Sequence, residues 1–179
     1  MSFASVSFLL FFLVVLLLLL LVQRVLPFAE IKRRIICQGI LLIASYVFYG
    51  WWNMRLCLLL MGITWISFFT AVKKDEKHLR QSRISLLIGV GTPLTVLGIF
   101  KYYDFFVTSF CDVFHLTPGV LNLILPVGIS FYTFQALSYT IDVYTGKIEK
   151  EKSFLQFVLY LSFFPQLVAG PIVKASEFL

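Results

Sequence analysis

Leu125 to Gly146 read LPVGISFYTFQALSYTIDVYTG, a run long enough to cross a bilayer that still carries Ser130, Thr133, Gln135, Ser138, Thr140 and Asp142. On a helix of about 3.6 residues per turn, Gln135, Ser138 and Asp142 share one face, spaced i, i+3 and i+7. Phe131, Tyr132 and Tyr139 flank that stripe, while Ile129, Leu137 and Ile141 point elsewhere. Hydrocarbon gives polar groups no water, so the stripe must face protein or a wet cavity. It serves either as interhelical hydrogen bonding that fastens packing or as the lining of a substrate path; spacing alone does not separate the two. Asp142 lies toward the helix C-terminus, where the dipole is negative, and calls for a donor close by.

Composition points the same way. Of 179 residues, 60% are hydrophobic and 13% charged, and mean hydropathy is +0.93. A soluble domain is about half apolar and about a quarter charged, so the chain reads as an all-α, polytopic membrane protein. The net charge of +6 sits in short loops between apolar runs. That is the pattern of membrane topology, not of a nucleic-acid surface. Cys37, Cys57 and Cys111 are widely spaced with no CxxC pair, which fits neither a disulfide framework nor a metal site.

Outward from the striped segment, about five spans plus a broken or re-entrant helix are expected. The first runs from about Phe3 to Val22, and lacks the basic start and small-residue cleavage site of a signal peptide. A second covers Ile35 to Gly50, a third Arg55 to Val72 and a fourth Ile84 to Phe100. Tyr49, Trp51 and Trp52 between the second and third suit an interfacial aromatic belt. In the fourth, Gly89, Gly91, Pro93 and Gly98 predict a kink or a close helix contact. Leu94 stands where a dinucleotide-binding loop would need its third glycine. Val107 to Asn122 reads as a partly helical external or re-entrant connection. In the final apolar stretch, Pro165 and the Gly170-Pro171 pair predict a broken helix, tolerated at membrane depth only when buried in protein or lining a cavity.

Arg24, Lys32, Arg33 and Arg34 in one connection, and Lys73, Lys74, Lys77, Arg80 and Arg83 in another, are separated by two spans and share a side. The positive-inside rule makes that side cytoplasmic and puts the N-terminus outside, in a multi-pass protein.

LPVGISFYTFQALSYTIDVYTGKI, followed by FVLYLSFFPQLVAGPIV, closely resembles the membrane-bound O-acyltransferase family. The likeness is nearest its bacterial branch, which includes the alginate O-acetylation membrane protein and the D-alanyl transfer protein of teichoic acid modification. ASYVFYGWWN and FKYYDFF look like the same branch, so the resemblance covers nearly the whole chain. It implies a bacterial cytoplasmic (inner) membrane protein and a larger ring of helices with a thin centre crossed by a tunnel. There an acyl group from a cytoplasmic donor, such as acetyl-CoA or an acyl-carrier protein, meets an acceptor hydroxyl or partner protein on the other side. Gln135, Ser138, Asp142, Gln166 and Pro171 would then be substrate-binding positions on helices around the tunnel.

The same resemblance leaves the catalytic group outside the chain, because the family's histidine belongs to a helix downstream of residue 179. His78 lies in a basic loop and His115 follows Phe114 in the outer connection, neither in the family's histidine context. There is no GxSxG nucleophile elbow. Residues 1–179 are therefore expected to be the N-terminal part of one membrane-embedded acyltransferase domain, inactive without its C-terminal part. No metal, bound cofactor or nucleic acid is expected. The expected partners are the lipid bilayer, the missing C-terminal half, a polysaccharide acceptor and a periplasmic or secreted acetyltransferase. The alternatives are a non-catalytic membrane scaffold and a transporter-like subunit; the second would usually bring internal repeats, and the two halves show no self-similarity.

Overall fold

The computed structural model describes residues 5–24, 30–72, 79–114, 125–126, 128–170 and 173–178. Its elements are helices: α1 (Val6–Arg24), α2 (Glu30–Trp52), α3 (Met54–Val72), α4 (Leu79–Phe114), α5 (Ile129–Thr145), α6 (Phe154–Ser162), α7 (Phe164–Ala169) and α8 (Ala175–Phe178). Four of them, α1 to α4, are long and apolar enough to cross a membrane. Leu9, Leu13, Leu17 and Leu21 of α1 are exposed, as expected of a helix whose surroundings are lipid.

The striped segment runs between the same two ends as the long helices, from the Lys101–Ser130 contact to the Lys150–Val72 contact, but it is shorter than they are. α5 has 17 residues and is about 25 Å long at 1.5 Å per residue, short of the roughly 30 Å hydrocarbon core. It occupies the centre, packed against α3, α4 and α6. Ile129 and Leu137, expected to point away from the stripe, are buried as well. The large apolar residues that it exposes are Phe134 and Ile141, seven positions apart. A helix buried almost all round is a core helix.

α4 runs on without interruption through Pro93 to Phe114, a length of 36 residues. The connection expected from Val107 is therefore its last turns, and the rest of that stretch lies outside the described residues. Lys101 and Asp104 end the apolar run, but nothing between Phe100 and Phe114 breaks a helix; the next proline is Pro118. Of the three glycines expected to shape this helix, Gly89 alone meets close neighbours: a Cβ there would lie 2.5 Å from Thr70 Oγ1 on α3 and 3.1 Å from Thr140 Cγ2 on α5. Gly91 and Gly98 have open space beside them. α2 and α3 are joined through Asn53, whose Oδ1 accepts the Arg55 N–H at 2.9 Å. Trp51 is exposed, as an interfacial aromatic should be, but Tyr49 is 3% exposed and belongs to the core.

The last apolar stretch breaks as its proline requires. The Pro165 ring would collide with the Leu161 carbonyl in a continuous helix, and the chain leaves helical geometry at Phe163, which caps both α6 and α7. The freed Phe164 N–H donates to Ser45 Oγ of α2 at 3.3 Å, and Ser45 donates in turn to Leu41 O at 2.8 Å. Phe164 packs with Phe48, Phe8 and Phe11, with ring centroids 5.5 to 6.5 Å apart. Non-helical backbone is thus confined to a buried site with its own donor and acceptor. Ser45→Ala should lower stability by about 1–3 kcal/mol, the effect of orphaning a buried amide. Thermal unfolding in detergent reads the loss, and Ser45→Thr should keep most of it.

The basic ends gather on one side. Lys150 Nζ donates to Val72 O at the end of α3 at 3.1 Å, and Tyr144 Oη donates to Thr70 O at 3.2 Å. Gln23 of α1, Arg33 and Arg34 of α2 and Ser153 before α6 line one cavity. At the opposite end Lys101 of α4 reaches Ser130 Oγ of α5 at 3.4 Å.

Candidate functional site

The α5–α7 contact brings two of the predicted residues together. α5 starts at Gly128, whose φ of 74° is left-handed, and a Cβ there would sit 2.5 Å from the Leu167 carbonyl oxygen of α7. Two turns further on, Gln135 Nε2 donates to Gln166 Oε1 at 3.1 Å. Gln135 is 2% exposed and Gln166 is half-buried. Both amides come from segments that the sequence separates by 31 positions. A buried amide pair of this kind clamps α7, the short arm of the broken helix, onto the core helix.

Ser138 and Asp142 form a second group toward the C-terminal end of α5. Ser138 Oγ donates to Asp142 Oδ2 at 3.4 Å, and Lys147 Nζ lies 3.6 Å from Asp142 Oδ1. The donor that the dipole argument calls for is thus present. It is placed by the way α5 ends: Gly146, at φ 77°, turns the chain back. Gly146 N–H then bonds Val143 O at 3.2 Å and Lys147 N–H bonds Asp142 O at 2.9 Å. These are the paired bonds of a Schellman motif. The side chains are 70% exposed for Lys147 and 20% for Asp142, so the ion pair is solvent-screened and weak. Lys147→Gln should change thermal stability by less than about 1 kcal/mol, whereas a drop several times larger would mean that Asp142 depends on this lysine alone.

Two supporting hydroxyls were not legible as such. Glu151 N–H donates to Tyr139 Oη at 3.0 Å, tying the loop after α5 to its core face. Tyr160 Oη donates to Val173 O at 3.1 Å, holding the chain after α7. Thr133 Oγ1 and Ser67 Oγ are buried with no hydrogen-bond partner. Nothing local distinguishes these from the other hydroxyls of an apolar helix; their roles depend on segments distant in sequence. Pro171, His78 and His115 lie outside the described residues.

Chemically, this arrangement can hold and orient. It offers amides, hydroxyls and one carboxylate, and among the described residues it contains no histidine to act as general base. Gln135, Ser138, Asp142 and Gln166 do not line the cavity of about 880 Å3, which opens between α1, α2 and α6. Where α5 meets α7 the amides are bonded to each other.

Comparison with known proteins bears on what is oriented. The probable alginate O-acetylase of Pseudomonas aeruginosa is 39% identical over 144 residues, covering 77% of this chain and 28% of the relative. That of Pseudomonas putida is 38% identical over 144 residues, covering 77% of this chain and 30% of the relative. The peptidoglycan O-acetyltransferase of Helicobacter pylori is 35% identical over 162 residues, covering 76% of this chain and 31% of the relative. The chain spans less than a third of the length of these relatives. No protein-family model matches it, and no solved structure does. An all-α membrane architecture, the two long motifs around Gln135 and Gln166, and sustained identity to bacterial O-acetylases place this chain in the membrane-bound O-acyltransferase family.

Proposed function

We propose that the chain is the N-terminal part of a single membrane-embedded O-acyltransferase domain, in which α5 and the broken α6–α7 helix wall a substrate path. The enzyme would move an acetyl or similar acyl group from a cytoplasmic donor, acetyl-CoA or an acyl-carrier protein, toward an exported polysaccharide or a periplasmic or secreted acetyltransferase partner. The observation that carries this is the 35–39% identity to proteins named for O-acetylation of alginate and of peptidoglycan. Gln135, Ser138, Asp142, Gln166 and Pro171 are assigned to positioning substrate, with the histidine base supplied by chain beyond residue 179. The Gln135–Gln166 pair gives the path a polar point that can exchange its mutual bond for one to substrate. The orientation proposed is multi-pass in the bacterial cytoplasmic membrane with the N-terminus outside; the clustering of Arg33, Arg34, Lys147 and Lys150 at one end of the helices supports it.

The test is a chimera in which this chain replaces the matching segment of the Pseudomonas aeruginosa alginate O-acetylase. O-acetyl ester on the exported alginate is measured in cells lacking the native protein. The chimera should restore acetylation, and Gln135→Leu within it should lower ester content by roughly tenfold, the effect of losing one hydrogen bond to a buried partner. A chimera that inserts stably yet leaves alginate bare would overturn the proposal in favour of a scaffold role.

A further inference from the structure

Thr64, Thr140 and Ser162 each donate to the carbonyl four residues back, at 2.7 to 2.8 Å. Thr70 does the same toward Ile66 O. That is the ordinary outcome for a hydroxyl on an apolar helix, where no water competes for it. Ser67 on α3 and Thr133 on α5 behave differently: both are 0% exposed, and neither hydroxyl has a hydrogen-bond partner.

The two hydroxyls lie in one seam. Lys101 meets Ser130, and a Cβ at Gly89 would meet Thr140, so α4 runs antiparallel to α5. The same Cβ would meet Thr70, and Phe68 and Tyr139 share the Phe157 ring, so α3 runs alongside α5 in the same direction. Gly89 therefore marks a common level of three helices. From that level toward the Lys101 end, Ser67 lies about 4.5 Å along α3, Pro93 about 6 Å along α4 and Thr133 about 10 Å along α5. Spacings of four and seven keep Pro93 on the face of Gly89 and Thr133 on the face of Thr140; a spacing of three puts Ser67 beside Thr70. Pro93 is buried and has no N–H, so the Gly89 carbonyl lacks the donor that an unmodified ladder would give it.

Two hydroxyls and one carbonyl thus share a short stretch of the α3–α4–α5 seam. Residues 63–67, 93–97 and 133–137 include no charged side chain, and the close approach at Gly89 leaves no place for a bulky guest. A ligand for this set is small and neutral, and it both donates and accepts. Water has that chemistry.

We propose that Ser67, Thr133 and the Gly89 carbonyl hold bound water in this seam. The water donates to Gly89 O in place of the N–H that Pro93 lacks, and the two hydroxyls share it. It ties α4 to both neighbours where the proline interrupts the helix's own ladder, which is how a 36-residue helix carries Pro93 without a break. The site is independent of acyl transfer.

The full chain in detergent is exposed to millisecond X-ray pulses, and oxidation is mapped by mass spectrometry. Radicals formed from a bound water label the side chains beside it even when these are buried, whereas a dry core stays unlabelled. Pro93 and Leu97 should be oxidised in the unaltered chain, and Phe157, packed among Phe68 and Tyr139, should not. Ser67→Ala combined with Thr133→Val should remove the label. Each single variant should lower the melting temperature by about 1–6 °C, the loss of one hydrogen bond in a chain of this size. The pair should lose less than the sum, because the two hydroxyls share one ligand. Absence of label on Pro93 and Leu97 in the unaltered chain would overturn the site, whether or not the double variant folds. So would a Thr133→Val protein as stable as its parent or more stable, the result for a hydroxyl buried dry. Additive losses would assign each hydroxyl to its own backbone and overturn the shared water.

Discussion

Gly128→Ala is expected to lower the apparent melting temperature of the purified chain by about 4–20 °C, taking roughly 2–4 °C per kcal/mol for a chain of this size. Two separate effects add. At φ 74° an L side chain meets a conformational cost of about 1–2 kcal/mol. The new Cβ would also lie 2.5 Å from the Leu167 carbonyl oxygen, a backbone atom that cannot swing aside as a side chain could. Leu167 is 1% exposed, so relieving the contact means moving α7 within a packed core, at about 1–3 kcal/mol for overpacking. The shift would also stretch the Gln135–Gln166 bond, which lies on the same pair of elements. Gly146→Ala separates the two effects: φ there is 77° but nothing lies within 4 Å of the added methyl. It should show the conformational part alone. Equal losses in the two variants would mean that the α5–α7 contact yields freely and is no clamp.

Much of the architecture was legible because membrane solvent leaves few choices. Apolar runs and the Pro165 break each correspond to an element where they were expected, whereas Lys32, Arg33 and Arg34 lie inside α2 and Arg83 inside α4 instead of in connections, and Lys73, Lys74 and Lys77 fall outside the described residues. What was misread are features set by neighbours remote in sequence. α4 ends beyond Phe100 because charge at Lys101 marks where an apolar run stops, not where helical hydrogen bonding stops. Ile129 and Leu137 are buried, like Gln135 of the polar stripe, because α3, α4 and α6 surround their helix; one helix's periodicity cannot reveal how many neighbours it has. Tyr49, two residues from the interfacial Trp51, turns into the core. At the site, Gln135 and Gln166 were both singled out, but that they bond each other follows from the fold-back of α7. Lys147 as the partner of Asp142 follows from a Schellman turn that its glycine hints at only in retrospect. Arg33 and Arg34 were legible as topology signals, and their place in a cavity with α6 was not.

Gly89 decides how closely α4 approaches the two helices that it packs against, and its substitution should show a sign change that few contacts allow. Replacing a mid-helix glycine by alanine normally stabilises by about 0.5–1 kcal/mol. Here the methyl would lie 2.5 Å from Thr70 Oγ1 and 3.1 Å from Thr140 Cγ2. Thr70 Oγ1 cannot rotate away without giving up its bonds to Ile66 O at 2.7 Å and Ser67 O at 3.1 Å. Overpacking of about 1–3 kcal/mol then outweighs the helix gain, so Gly89→Ala should be destabilising. Gly89→Val, with two further methyls wedged between α3 and α5, should lie at or beyond the upper end of that range. Combining Gly89→Ala with Thr70→Ala removes the hydroxyl that blocks the methyl. The double variant should then be at least as stable as Thr70→Ala alone, with a coupling energy of about 1–3 kcal/mol by double-mutant cycle. Thermal unfolding of the four proteins in one detergent measures it. Additive losses would mean that the approach of α4 to α3 is looser than these distances, and that the helix gain of alanine is being lost to some other neighbour.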